Sequence, residues 1–201
     1  MKRFELIKTS MKKLEIGPHP KRTPDGAPRE TWDTVDTHYN PTYKAAWGHQ
    51  PLPVPDETYD WVHASHVLEH VAWWNVEAAV KEVCRVLKRG GVFTVWVPDA
   101  AKIIKLAWED PERLVELEKS WPCAGLNPTE DPWAYMNARV FWGARPGEIG
   151  QHQHFHKSMF GQKSLQSIVL KCGFTKARYI ERDVDVDPGH GWMECGVEGI
   201  K

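Results

Sequence analysis

Apolar and polar positions follow two rhythms along this chain, one of period two and one near 3.6. Leu14-Glu15-Ile16 is a short apolar run closed by Gly17 and then by Pro18, His19 and Pro20, which predicts a strand feeding a loop. A second β-rich piece over 31–36 ends on the carboxylate of Asp36. Residues 37–58 carry Pro41, Pro51, Pro53 and Pro55 and read mainly as loop, with room for one helical turn and one short extended piece. The alternating YDWVHAS at 59–65 predicts a third strand. Val76, Ala79, Val80, Val83, Val86 and Leu87 then recur at three- and four-residue spacing opposite Glu77, Lys81, Glu82, Arg85 and Lys88, the pattern of an amphipathic helix. Arg89-Gly90-Gly91 stops it, and VFTVWV at 92–97 follows as a nearly continuous apolar strand of the kind buried on both faces.

Strand, crossover helix and buried strand make a right-handed βαβ unit, so the pattern predicts an α/β fold with a mostly parallel sheet and helices on both faces. Further helices are expected at about 100–120, 132–142 and 162–172, the last ending at Gly173. Two final strands, 175–181 and 192–197, flank an acidic loop at 183–190 and suit an antiparallel hairpin. No repeat or linker divides the chain. It reads as one domain over 1–201, with 100–150 as a helical, lid-like insertion.

Composition narrows the function. The chain has 201 residues, 41% of them hydrophobic, which is ample for one core. Its 26 basic and 27 acidic side chains exclude a polybasic nucleic-acid coat. No apolar run approaches the roughly 20 residues of a membrane span, and residues 1–10 lack a signal-peptide core, so a cytoplasmic protein with no membrane partner is expected. Cys84, Cys123, Cys172 and Cys195 form no CxxC pair and read as reduced thiols. Eleven tryptophans suggest a pocket lined with rings.

An open parallel sheet binds ligands beyond the carboxyl ends of its strands, which here are Gly17, Asp36, Ser65 and Asp99. Gly17 lets the backbone approach a ligand closely, and Asp36 is placed to accept hydrogen bonds from a ribose diol. Together they point to a nucleoside-type cofactor. A dinucleotide needs its pyrophosphate behind G-x-G-x-x-G, and prolines and cations stand where that turn would be. The histidines His152, His154 and His156 alternate, but no carboxylate or cysteine lies in the same short segment, and no metal is assigned. Ser65-His66 lacks the G-x-S-x-G elbow of a hydrolase.

LEIG at 14–17, VD at 35–36, LPVPDETYDWVHASHVLEHV at 52–71 and EVCRVLKRGGVFTVWVPD at 82–99 are similar to the small class I S-adenosylmethionine-dependent methyltransferases. The likeness is strongest to members with an HVLEHV segment and an RvLkpGG turn. A later stretch, from His156 through Phe160 to Cys172-Gly173-Phe174, resembles the helix that precedes their last two strands. The chain departs from the family at Gly17-Pro18-His19, where a second glycine is usual. It departs again at Trp47-Gly48-His49, where an acidic residue usually meets the adenine.

The resemblance implies a seven-stranded sheet with an antiparallel last strand and S-adenosylmethionine as cofactor. Glu15, Gly17, Asp36, His49, Ser65 and His66 are then expected to form the cofactor shell. Asp99 and His156 are expected to act on the acceptor, Glu69 and His70 to fix the turn after the third strand, and Trp73 and Trp74 to cover it. Trp108, Trp121, Trp133, Tyr135 and Trp142 are expected to form a lid. The implied activity is methyl transfer to a small-molecule O or N acceptor. DNA base methylation is not expected, because the Asn/Asp-Pro-Pro-Tyr motif is missing after 59–65. The missing second glycine keeps open a non-catalytic, cofactor-binding or regulatory protein of the same fold.

Overall fold

The computed structural model of the chain describes residues 11–19, 22–38, 40–120, 130–141, 155–183 and 189–201. Seven strands form its sheet: β1 (Lys13–Ile16), β2 (Asp33–Asp36), β3 (Tyr43–Lys44), β4 (Tyr59–Ser65), β5 (Leu87–Pro98), β6 (Lys176–Ile180) and β7 (Glu194–Ile200). Their order is β3-β2-β1-β4-β5-β7-β6, and β7 alone runs against the rest. The chain works outward from β1 to β3 and then returns to lay β4 on the other side of β1, so strand order reverses between β1 and β4. That reversal opens a crevice at their carboxyl ends.

Among the described residues five α-helices complete the fold: α1 (Val76–Val86), α2 (Ala100–Glu109), α3 (Pro111–Ser120), α4 (Pro132–Phe141) and α5 (Gln162–Lys171). The apolar stripe of α1, Val76, Ala79, Val80, Val83 and Val86, is buried against Val62, Phe93 and Val95 of the sheet and Leu165 and Val169 of α5. Each fully buried valine contributes about 1.5–3 kcal/mol relative to exposure. The helix ends one residue before Leu87, which already pairs with Tyr59. Lys88 to Gly91 then bulge out of register with β4, so the predicted cap is absorbed into the start of β5, where Gly90 takes φ +76°. The predicted helix at 100–120 is two helices. Pro111 has no N–H to continue α2, and the Asp110 carboxylate accepts the Arg113 N–H at 3.2 Å to start α3.

The sheet's second face carries Lys13, Glu15, Trp61, His63 and Thr94, and the segment at 22–32 lies over it. Asp25 organises that segment: its carboxylate accepts from Lys13 Nζ at 2.9 Å, Trp32 Nε1 at 3.0 Å and Ala27 N at 3.1 Å. Trp32 meets Trp61 edge-on at 4.8 Å. Burial pushes the Asp25 carboxyl up, but the hydrogen bonds from Lys13, Trp32 and Ala27 outweigh it and hold its pKa below the ordinary value. The helical group α2 to α4 stands at the carboxyl edge, where Ala100, Ile103 and Val140 pack on Met193 just before β7. Among the described residues no helix is long and apolar enough to cross a membrane. Cys84, Cys172 and Cys195 are free thiols, and Cys123 lies outside the described residues.

At the end of β1, Gly17 takes φ +68°, and a Cβ built there would stand 2.2 Å from Val67 Cγ2. Gly17→Ala is expected to destabilise the fold by about 2–4 kcal/mol, through left-handed strain and overpacking together. The double variant Gly17→Ala/Val67→Ala should recover the overpacking share relative to Val67→Ala alone, as read in urea unfolding; an unchanged penalty would mean that the clash is not its source. Asp25→Ala strands the buried Lys13 ammonium and should cost about 2–3 kcal/mol, less than a fully enclosed pair because Asp25 keeps an edge toward solvent. The Asp25 contribution is present above its unfolded pKa and is lost as pH falls through its lower folded value. The gap between wild type and Asp25→Ala should therefore close in acid, and a gap independent of pH would refute the ion pair's part in it.

Candidate active site

Two cavities open where strand order reverses. One, of about 630 Å³, is lined by Gly17, Asp36, Trp47, His49, His66 and Val67 among others. The other, of about 340 Å³, is lined by residues that include Glu15, Ser65, Glu69, Arg139, His156 and His190. Gly17, Pro18, His66 and His70 line both.

In the first cavity Asp36 ends β2 and is itself braced, its Oδ1 accepting from the His38 N–H at 2.7 Å. Trp47 is 5% exposed and donates from Nε1 to the Ala79 carbonyl at 2.9 Å, which fixes its ring as a wall. His49 lies at the exposed rim. These groups offer a carboxylate, a flat indole and a close backbone approach, the set a nucleoside requires.

The second cavity is built around His66, whose φ of +55° turns its ring inward at the end of β4. Its Nε2 lies 2.9 Å from Glu194 Oε2 on β7 and its Nδ1 lies 3.3 Å from Glu69 Oε1. Arg182 binds both oxygens of Glu194, at 2.6 and 2.9 Å, and donates to Ser65 Oγ at 3.0 Å while lying over the Trp96 ring. Burial disfavours the His66 cation, yet the carboxylates of Glu194 and Glu69 prevail and its pKa is raised. Burial likewise pushes Glu69 and Glu194 up, and their cationic neighbours hold both below the usual carboxylate value. His156 is different: burial brings it down to about 4. His190, stacked on His66 at 3.8 Å, is also lowered to about 4, by burial and then by the His66 charge.

The expected cofactor shell therefore divides. Gly17, Asp36, His49 and His66 line the first cavity, whereas Glu15 and Ser65 line the second, Glu15 paired with Arg29 and Ser65 with Arg182. His156 reaches the second cavity beside His70, with the rings 5.0 Å apart. Asp99 does not line either cavity. Its carboxylate caps α2, accepting the Lys102 N–H at 3.0 Å, so the exit from β5 uses it for local structure. The turn after β4 is joined to the segment before α5, where the Glu69 carbonyl accepts from Lys157 and Ser158 and His70 Nδ1 lies 3.2 Å from the Phe155 carbonyl.

The aromatic expectation is corrected. Trp73 and Trp74 are 71% and 67% exposed and touch each other rather than covering the turn. Trp108 and Trp133 pair edge-on at the outer surface, and Tyr135 is buried among Ala107, Leu114 and Val115. Trp121, Trp142, His152 and His154 lie outside the described residues. What the helical group gives the second cavity is Arg139, which is held by buried Glu118 through two hydrogen bonds of 2.8 Å. Sequence reasoning missed Arg139, Arg182, His190 and Glu194. Each comes from an element distant in sequence, and no local spacing marks it.

Comparison with known proteins agrees with this architecture. The family model described as a methyltransferase domain matches residues 32–95. A possible histamine N-methyltransferase from Thermotoga maritima, described as S-adenosylmethionine-dependent, is similar with a TM-score of 0.52 and 16% identity, over 100% of this chain and 86% of that one. A methyltransferase of the same dependence from Archaeoglobus fulgidus gives 0.53 and 13%, over 100% and 90%. The 1,6-didemethyltoxoflavin-N1-methyltransferase of Burkholderia thailandensis, solved with S-adenosylhomocysteine, gives 0.50 and 11%, over 98% and 73%. No curated protein sequence matches the chain significantly. Its strand order, its crevice between β1 and β4 and these likenesses give the chain the fold of the class I S-adenosylmethionine-dependent methyltransferases, with the methyltransferase-domain match confined to residues 32–95.

Proposed function

We propose that the protein transfers the methyl group of S-adenosylmethionine to an oxygen or nitrogen of a small-molecule acceptor. The observation that carries this reading is the pair of adjoining cavities, one with a nucleoside's complement of groups and one lined by histidines and carboxylates. The nucleoside occupies the first, with Asp36 on the ribose diol, Trp47 and His49 at the adenine and Gly17 against the methionine portion. Glu15, Ser65 and His66 line the passage between the two. An acceptor in the second cavity attacks the methyl carbon as the C–S bond breaks and its electron pair stays on sulfur. The products are S-adenosylhomocysteine, the methylated acceptor and a proton. The protein's task is alignment and exclusion of water. His156 acts on the acceptor side, and Asp99 contributes by holding α2. The helices α2 to α4 close the acceptor cavity through Arg139. A cavity of about 340 Å³ supports a small acceptor rather than a flipped base in duplex DNA. A cytoplasmic location accompanies this reading.

A second reading, cofactor binding without turnover, draws on Gly17-Pro18-His19, where the usual second glycine is missing. Both readings require cofactor binding. S-adenosylhomocysteine at about 100 times its Kd should stabilise the fold by ~2.7 kcal/mol and raise Tm by roughly 5–10 °C, while NAD should not. The opposite pattern would overturn the cofactor assignment. Asp36→Ala should weaken S-adenosylhomocysteine binding by about 1–3 kcal/mol in calorimetry without unfolding the protein, and unchanged affinity would return Asp36 to the role of a turn residue. If S-adenosylmethionine binds but no hydroxyl or amine in an acceptor panel is methylated, the second reading stands.

A further inference from the structure

One buried group in the second cavity is left unexplained by methyl transfer alone. Glu69 is 1% exposed, and among the described residues neither of its carboxylate oxygens has a hydrogen-bond partner. Glu194 is matched by Arg182, whereas Glu69 faces the imidazoles of His66, His70 and His156, with His66 Nδ1 at 3.3 Å but outside hydrogen-bond geometry. The His66 charge lies beside Glu69 without a hydrogen bond to it, so both buried carboxylate oxygens keep their acceptor capacity for a further cation. The ligand atoms that Glu69, His70 and His156 can offer all lie within 4.8 Å of one another.

The two histidines are also oriented for this use. His70 Nδ1 lies 3.2 Å from the Phe155 carbonyl and His156 Nδ1 lies 3.3 Å from the Val140 carbonyl. A carbonyl only accepts, so each Nδ1 carries the hydrogen and each Nε2 is left as the donor atom for an ion. This carbonyl-backed imidazole is the usual arrangement of a metal-binding histidine. His156 Nε2 lies 3.9 Å from Glu69 Oε1. The backbone holds the strands of the site together, since Lys157 and Ser158 donate to the Glu69 carbonyl and Ser158 Oγ donates to the Val71 carbonyl at 2.6 Å.

We propose that Glu69, His70 and His156 bind one divalent transition-metal ion of the zinc type, with an open coordination position toward the acceptor cavity. One carboxylate and two imidazoles suit zinc and its first-row neighbours, and three protein ligands leave room for a small molecule on the ion. All three residues line the second cavity, and His70 lines the first as well, which puts the ion where cofactor and acceptor meet. There it selects acceptors with an oxygen donor and favours their deprotonated form. His156 then acts on the acceptor through the ion. This catalytic use rests on the methyl-transfer reading, whereas binding of the ion does not. The ligands come from the turn after β4 and from the segment before α5, so a search within one short stretch of sequence does not find them.

The test is metal binding to the chelator-treated full chain. Zinc should bind at one ion per chain in calorimetry, and cobalt(II) should give the d–d bands of a low-coordinate nitrogen and oxygen site. Glu69→Gln and His156→Ala should each weaken binding by at least about 10- to 100-fold, the range for merely disturbing a ligand's supporting shell. If Glu69→Gln fails to fold by circular dichroism, His70→Asn and His156→Ala carry the test. Absence of binding by the folded wild type, or binding that the folded variants leave unchanged, overturns the proposal. S-adenosylhomocysteine affinity is measured on the same samples. Cofactor bound without metal removes the ion and leaves the methyltransferase reading, and metal bound without cofactor does the reverse.

Discussion

The structure turns on the His66 imidazolium held between two buried carboxylates. Glu69 follows it in the same turn, and Glu194 opens β7 far along the chain, so one ring ties the end of β4 to the start of β7. The ring reaches both only because His66 takes φ +55°, a conformation that costs a side-chain-bearing residue about 1–3 kcal/mol. The charge array offsets that cost. Removing one of its members would leave another charge buried without a partner.

From this tie the two cavities follow. The turn held by His66 places Val67 against Gly17, which seats the turn on the end of β1 and leaves no room for a Cβ at residue 17. On one side the crevice meets Asp36 and Trp47, and on the other it meets His156 and Arg139. Elsewhere the fold supplies stiffness. Tyr59 donates to Asp33 at 2.7 Å and pins β4 to β2, and the segment around Asp25 covers the sheet face that carries Lys13 and His63.

Charge is unevenly spread through this small volume. His66 is favoured as a cation by the carboxylates beside it, while His156 and His190, nearly as enclosed, are driven toward the neutral form by burial. One constellation therefore sets an imidazole favoured as a cation beside two favoured as neutral rings.

The sequence by itself determined every strand but the short β3, the amphipathic α1, the βαβ unit and the strand ends at Gly17, Asp36, Ser65 and Asp99, because each is written in local periodicity or in a strand-ending residue. Three residues of the HVLEHV segment, His66, Glu69 and His70, line the second cavity. Tertiary structure alone decided which side chains share it. Glu194, Arg182, Arg139 and the pairing of Glu69 with His156 join elements that no short-range pattern connects. It also decided that Asp99 caps a helix and that Trp73, Trp74 and Trp108 point outward, since a residue's type does not say which face its element will bury. Local spacing fixes where a chain turns and what it exposes to choice. Which charges are forced together is set only when the sheet closes and water leaves between them.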